Sequence, residues 1–290
     1  MTNMETSLLR SPAAINPRPA TVVFAAIVTI GLAITVYSCR AMGHGLPMPG
    51  GWTMSMTWTQ IPSQNWLGAA AQFLVMWLGM VSAMMLPLMV PVFLHTQRRR
   101  FLHTERRWMS LCLMAGGYYA VWLMAGLTVY GIGAVMAEWT LHSDQGSRLI
   151  PFCRSGMVIA AGLFQFTHWK QSSLSCCRPA LRQSRCCPPQ GTSFRLGCRH
   201  GLACCICCAA PMTVQLALGI MHPVVMITIA IAIAAERLLP RPRLTATALG
   251  IAAILTAVVM IRTLTTRPAE HPNPIDCSAA PMKIRPLGAK

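Results

Sequence analysis

Residues 68–94 read GAAAQFLVMWLGMVSAMMLPLMVPVFL. The stretch carries no charge, and Gln72 and Ser82 are its most polar side chains. About 20 mainly apolar residues suffice for a helix to cross the ~30 Å hydrocarbon core of a bilayer. This stretch therefore predicts a membrane-spanning helix. Six more blocks have the same character: 21–39, 109–136, 150–166, 202–221, 223–239 and 244–262. The shortest of them in apolar content, 150–166, contains Arg154. The predicted fold is all-α, a polytopic bundle of about seven spans.

Composition agrees. The chain has 290 residues, 54% hydrophobic and 11% charged, with a mean hydropathy of +0.50. A soluble domain carries about 25% charged residues. No repeat and no separate soluble domain is visible. The expected division is a cytoplasmic leader (1–20), a transmembrane domain (21–262) with a Cys-rich loop at 167–200, and a Pro-rich periplasmic tail (263–290) expected to be disordered. The leader lacks a small-residue cleavage site, so the first block is expected to remain as a span.

The net charge of +17 invites a nucleic-acid reading. The positions of the arginines exclude it, because they fall between apolar blocks. Lys and Arg accumulate on the cytoplasmic side of bacterial membrane proteins. Alternate loops hold 16 of the 24 on one side: the leader, Arg98–Arg107, Lys170–Arg199 and Arg237–Arg243. The N-terminus is therefore expected in the cytoplasm and the C-terminus outside, across the bacterial inner membrane. Residues 42–66 then lie outside, and the stretch from Cys176 to Cys198 lies inside.

Nine of the 13 cysteines lie between Cys176 and Cys208. The cytoplasm is reducing, so a disulfide framework is not expected there. Thiols at this density read as metal ligands or redox groups. Residues three and four apart on a helix share a face. His200, Cys204, Cys207 and Cys208 therefore form one stripe, expected at the inner membrane surface, which Met212 continues into the bilayer, while Cys205 points elsewhere. The pairs Cys176–Cys177 and Cys186–Cys187 precede the stripe and can fold back to complete a coordination sphere. Thiolates and thioethers favour Cu(I), and thiolates also suit zinc. Cys can equally be a small buried hydrophobe, which is the reading for the isolated Cys39, Cys112 and Cys153.

Methionine is also abundant, at 21 residues. The outer stretch MGHGLPMPGGWTMSMTW offers His44, Met42, Met48, Met54 and Met56 beside Trp52 and Trp58. It reads either as a soft-metal contact or as a loop anchored by Trp among headgroups. Met76, Met80 and Met84 recur every four residues beside Pro87 and Pro91. They read either as a relay or as gap-filling core residues. Two ionisable groups fall in spans: Arg154 near an outer end, and Glu236, for which a pairing with adjacent Arg237 and snorkelling offer an explanation. No P-loop, phosphorylated-aspartate motif or GxSxG is present, so ATP-driven pumping and enzymatic activity are not expected.

Six segments together resemble a bacterial family of predicted metal-binding integral membrane proteins, some of them labelled copper chaperones. They are MPGGWTMSM (48–56), MWLGMVSAMMLP (76–87), GYYAVW (117–122), LFQFTHWKQSSLSCCR (163–178), RHGLACCICC (199–208) and AAERLLP (234–240). The resemblance covers about 40–260. It implies ligands at Cys176, Cys177, Cys204, Cys207 and Cys208, and a Met motif at Met76, Met80, Met84 and Met85. Ser173 departs from it, and Cys186, Cys187 and Cys205 are additions. The expected function is copper(I) handling, with zinc as the other metal and a metal-accepting membrane or periplasmic protein as partner. A membrane thiol oxidoreductase and a structural subunit docking a partner through its Cys-rich loop are the competing readings.

Overall fold

The computed structural model describes residues 18–41, 46–48, 52–54, 65–100, 104–177, 192–220 and 222–266. It is a bundle of eight helices with one short hairpin. Helix α1 (Arg18–Ala41) leads to strands β1 (Leu46–Met48) and β2 (Trp52–Met54), paired antiparallel with Met48 opposite Trp52. Then come α2 (Trp66–Arg100), α3 (Thr104–His142), α4 (Asp144–Phe164), α5 (His168–Cys177), α6 (Ser193–Leu218), α7 (Pro223–Leu238) and α8 (Pro242–Thr266).

Helix boundaries follow local chemistry. The Ser143 hydroxyl accepts from the Gly146 amide at 3.2 Å and starts α4. Thr192 caps α6 in the same way. Gly219, at φ 130°, ends α6 in a conformation that favours glycine. Pro223 then opens α7, where its missing N–H costs nothing. Pro240 and Pro242 separate α7 from α8.

Among the described residues, five helices are long and apolar enough to cross a membrane: Thr21–Arg40, Trp66–Leu94, Trp108–His142, Ser193–Leu218 and Pro242–Thr266. The expected fourth span is a bent pair, Leu149–Phe164 and His168–Leu174, turning by 66° between its halves. Counting it as one gives six. Helix α7 has 16 residues, so it rises about 24 Å and falls short of a full crossing. Of the stretch 167–200 expected as loop, residues 168–177 and 193–200 are helical.

The outside of the bundle is apolar. Val22, Ile30, Leu67, Met124, Ile132, Leu163, Ile231 and Leu255 are all exposed, on faces that a soluble monomer would cover. Inside, helices meet at small residues, which let backbones approach where no hydrophobic force drives association. A Cβ on Gly117 would collide with the Phe194 carbonyl, and one on Gly197 with the Met114 carbonyl. Gly197 and Gly201 form a GxxxG face on α6 against α3. Gly31 meets Gly79 between α1 and α2, and Gly162 meets Gly250 between α4 and α8.

Contacts define one end of the bundle. Phe24 of α1 packs on Phe93 of α2 (6.3 Å between centroids), and Phe93 packs on both Tyr118 and His200. Ser110 near the start of α3 meets Ser193 at the start of α6 at 2.6 Å. The arginine-bearing helix ends therefore gather together: the start of α1, the end of α2, the start of α3 and the start of α6. The other half of the bundle holds an aromatic core of Phe73, Trp77, Trp122 and Tyr130.

Candidate metal centre

The expected stripe on α6 faces inward. Cys204, Cys207 and Cys208 have no exposed surface, His200 is 3% exposed and Met212 is buried. Cys205 is only partly buried. The stripe does not sit at the mouth of the helix, because α6 starts at Ser193, some three turns before Cys204. The sulfurs lie within the protein core.

Four other helices close around them. The close approach of α3 at Gly117 and Gly197 sets Tyr118 beside the stripe, with its hydroxyl 3.3 Å from Cys204 Sγ. Cys177 of α5 is buried beside Cys207. Cys208 in turn contacts both Cys204 and Cys207. These four thiols are neighbours in the core. From α2, Met85 Sδ lies 3.5 Å from Cys208 Sγ.

From α7, Arg237 enters the middle of this group. Its Nη2 donates to Cys204 Sγ at 2.9 Å and to Cys208 Sγ at 3.0 Å. Arg237 is 2% exposed, and its Nε and Nη1 are buried with no hydrogen-bond partner among the described residues. The expected pairing with Glu236 does not occur. Adjacent helix residues point in different directions, so Glu236 faces α5 instead. There Lys170 Nζ binds Glu236 Oε2 at 2.7 Å and also donates to the Cys207 carbonyl. Gln165 Nε2 donates to Glu236 Oε1 at 2.9 Å. Neither Glu236 nor Arg237 snorkels, since both are buried. Arg154 likewise turns inward, and its Nε donates to the Ala217 carbonyl at 2.6 Å, near the end of α6.

The remaining predicted residues divide as follows. Met76 and Met80 are buried in α2, and Met84 is partly buried. His200 packs edge-on to Phe93. Cys176 lies on α5. Met48 and Met54 lie on β1 and β2. His44, Met42, Met56, Cys186 and Cys187 fall outside the described residues. Cys112 and Cys153, expected to pack, are exposed.

No group of three or more His, Cys, Asp or Glu among the described residues stands in a metal-holding arrangement. A guanidinium nitrogen is hydrogen-bonded to two of the sulfurs. The donor chemistry is nevertheless that of a soft ion: thiols with an adjoining thioether. Arg237 Nη2 lies about equidistant from the Cys204 and Cys208 sulfurs.

Sequence reasoning did not find Tyr118, Gln165, Lys170 or Arg237 as part of this centre. All four lie inside the quoted segments 117–122, 163–178 and 234–240, so a signal was present.

Fold and site together define a helical bundle, with helices of membrane-spanning length, built around a buried soft-donor cluster. The chain belongs to the PpoB2 family, described as copper chaperone, whose family model matches residues 74–260. Neither a curated protein nor a solved structure matches the chain.

Proposed function

We propose that the chain is a copper(I)-handling protein of the bacterial inner membrane, which holds its cargo at Cys204 and Cys208 for delivery. The observation that carries this reading is the Arg237 guanidinium placed about 3 Å from both sulfurs in the buried core. A cation already occupies the position between the thiols. Cargo enters by displacing it, and the guanidinium then lies beside the loaded site as counter-charge.

Charge balance supports copper over zinc. Lys170 and Glu236 offset one another, which leaves Arg237 as one excess buried positive charge. A univalent ion on two thiolates carries −1, and Arg237 cancels it. A divalent ion on the same two thiolates leaves the core at +1, and unbalanced charge in a low-dielectric interior is costly. The family description points the same way.

Thiol–disulfide exchange with a partner needs an accessible sulfur. Cys177, Cys204, Cys207 and Cys208 are all buried, which disfavours the oxidoreductase reading. Met48 and Met54 belong to the stretch placed on the outer side in this reading, where thioethers remain competent soft donors and thiols would oxidise.

The test is elemental analysis of full-length protein purified reduced and without oxygen. Copper near one equivalent, lost in Cys204→Ser and Cys208→Ser, is the expected result. Copper-free protein after growth in copper, or copper retained in both variants, sinks the reading.

A further inference from the structure

Two tyrosines stand side by side on α3, and they serve different neighbours because successive helix residues point in different directions. The Tyr119 hydroxyl meets Ser82 Oγ of α2 at 2.8 Å. The Tyr118 hydroxyl lies 3.3 Å from Cys204 Sγ of α6. Tyr118 has no exposed surface. Its ring stands edge-on to Phe93 and to Tyr119, each with centroids 5.6 Å away. Behind it, a Cβ on Gly201 would stand 3.0 Å from the Tyr118 carbonyl oxygen, so the bare glycine lets α6 close against this residue. The phenol is therefore held from both sides.

A buried hydroxyl is costly unless it finds a hydrogen-bond partner. A phenylalanine would fill the same volume without that cost. The partner that Tyr118 has is a sulfur, which is a weak acceptor as a thiol. As a thiolate it is a strong one, because an ionised partner roughly doubles a hydrogen bond. A cysteine that ligates a metal is a thiolate. Cys204 Sγ already accepts from Arg237 Nη2 at 2.9 Å, so the phenol is the second donor to converge on it. Cys208 is reached by the same nitrogen at 3.0 Å, but its further neighbour is Met85 Sδ, which has no proton to give. The two thiols are therefore unequal, and Cys204 is the one built to be held as an anion.

We propose that Tyr118 is a positioning residue of the cargo site, whose hydroxyl donates to the Cys204 thiolate and so sets how tightly Cu(I) is held. The proposal rests on the reading of Cys204 and Cys208 as copper ligands. Hydrogen-bond partners behind a metal ligand fix its orientation, and losing one typically costs about 10–100-fold in metal affinity. Tyr118 acts through Cys204 alone, so its removal weakens the site without changing the number of ions bound.

The experiment uses full-length protein, reduced and without oxygen, titrated with Cu(I) against a chromogenic chelator. Tyr118→Phe removes one oxygen and keeps the ring packing. It is expected to bind the same single equivalent about tenfold or more weaker, with a shifted thiolate-to-copper charge-transfer band. Tyr119→Phe, which loses the Ser82 contact instead, is expected to bind as wild type does. Replacing Tyr118 by 3-fluorotyrosine keeps the hydroxyl and makes it a stronger donor. Affinity and band position are then expected to move in the direction opposite to Tyr118→Phe. Tyr118→Phe with unchanged affinity and band overturns the proposal and leaves the thiol site standing. So does an equal loss in Tyr119→Phe, or a fluorotyrosine variant indistinguishable from wild type, since either result makes the hydroxyl a matter of packing. Absence of any copper from wild type overturns the thiol site as well.

Discussion

Arg237 ends its hydrogen bonds on sulfur, with Glu236 beside it in sequence turned toward Lys170. In the proposed copper site, that arrangement makes the guanidinium a determinant of which ion is accepted. Arg237→Met removes the counter-charge and leaves a copper dithiolate as a buried anion. Its Cu(I) affinity is expected to fall at least about tenfold, or ~1.4 kcal/mol. Zinc, neutral on two thiolates once the arginine is gone, is expected to bind relatively better. Arg237→Lys keeps the charge and is expected to keep most of the preference, although the planar fork is lost. Competition titrations with both metals check this. Unchanged Cu(I)-to-Zn(II) preference in Arg237→Met would show that the guanidinium takes no part in selection. Lys170 and Glu236 act differently, since they tie α5 to α7. Glu236→Gln leaves Lys170 buried without its partner, at an expected cost of about 3–5 kcal/mol. The double change Lys170→Met with Glu236→Leu is expected to restore much of it. Thermal unfolding in detergent separates the two outcomes.

At the scale of helices, the stripe His200–Cys204–Cys207–Cys208 was legible because helical spacing alone puts those residues on one face. Its depth was not. Arg195 and Arg199 lower the hydropathy of the first turns of α6, so an apolar window opens at 202 although the helix begins at Ser193. The Met76–Met80–Met84 stripe was read in part. Met76 and Met80 are buried, but Met85 and Met89 are the more deeply buried pair beyond them, because α2 has protein around most of its circumference. The centre's polar members could not be paired from sequence. Lys170 and Glu236 are 66 residues apart, and only the docking of α5 on α7 joins them. The glycine seam between α3 and α6 decides whether Tyr118 reaches Cys204. A side chain at Gly197 meets the Met114 backbone, which cannot retreat as a flexible side chain can. Gly197→Val is expected to cost about 2–3 kcal/mol of stability and to weaken copper retention without altering any ligand. Normal melting temperature together with full copper retention in that variant would show that the seam does not position the site.

At the scale of the molecule, the short helix α7 sets the topology. Five helices pass the length and apolarity of a span, and the bent α4–α5 pair makes a sixth. Six spans alone would return both termini to one side. Helix α7 nevertheless carries the chain from Gly219 back to the level of the sulfurs, because Arg237 reaches Cys204 and Cys208 on α6. Helix α8 then starts near that level, where Gly250 lies against Gln165 and Gly162, and leads away. The arginine-rich turn 237–243 therefore sits at the end that also gathers the start of α1, the end of α2 and the starts of α3 and α6. In the proposed inner-membrane reading, positive residues favour the cytoplasm, which puts this end there and has seven segments alternate although one is only about 24 Å long. The mismatch is small enough for local thinning of the bilayer, at fractions of a kcal/mol per Å. A phosphatase active only outside, fused after Thr266, is expected to be active, and the same enzyme inserted at 101–103 inactive. A fluorescent reporter that folds only in the cytoplasm should give the opposite pattern. Cytoplasmic readouts at both positions would mean that α7 does not bring the chain across, and would place α8 on a different path from the one its contacts with α4 describe.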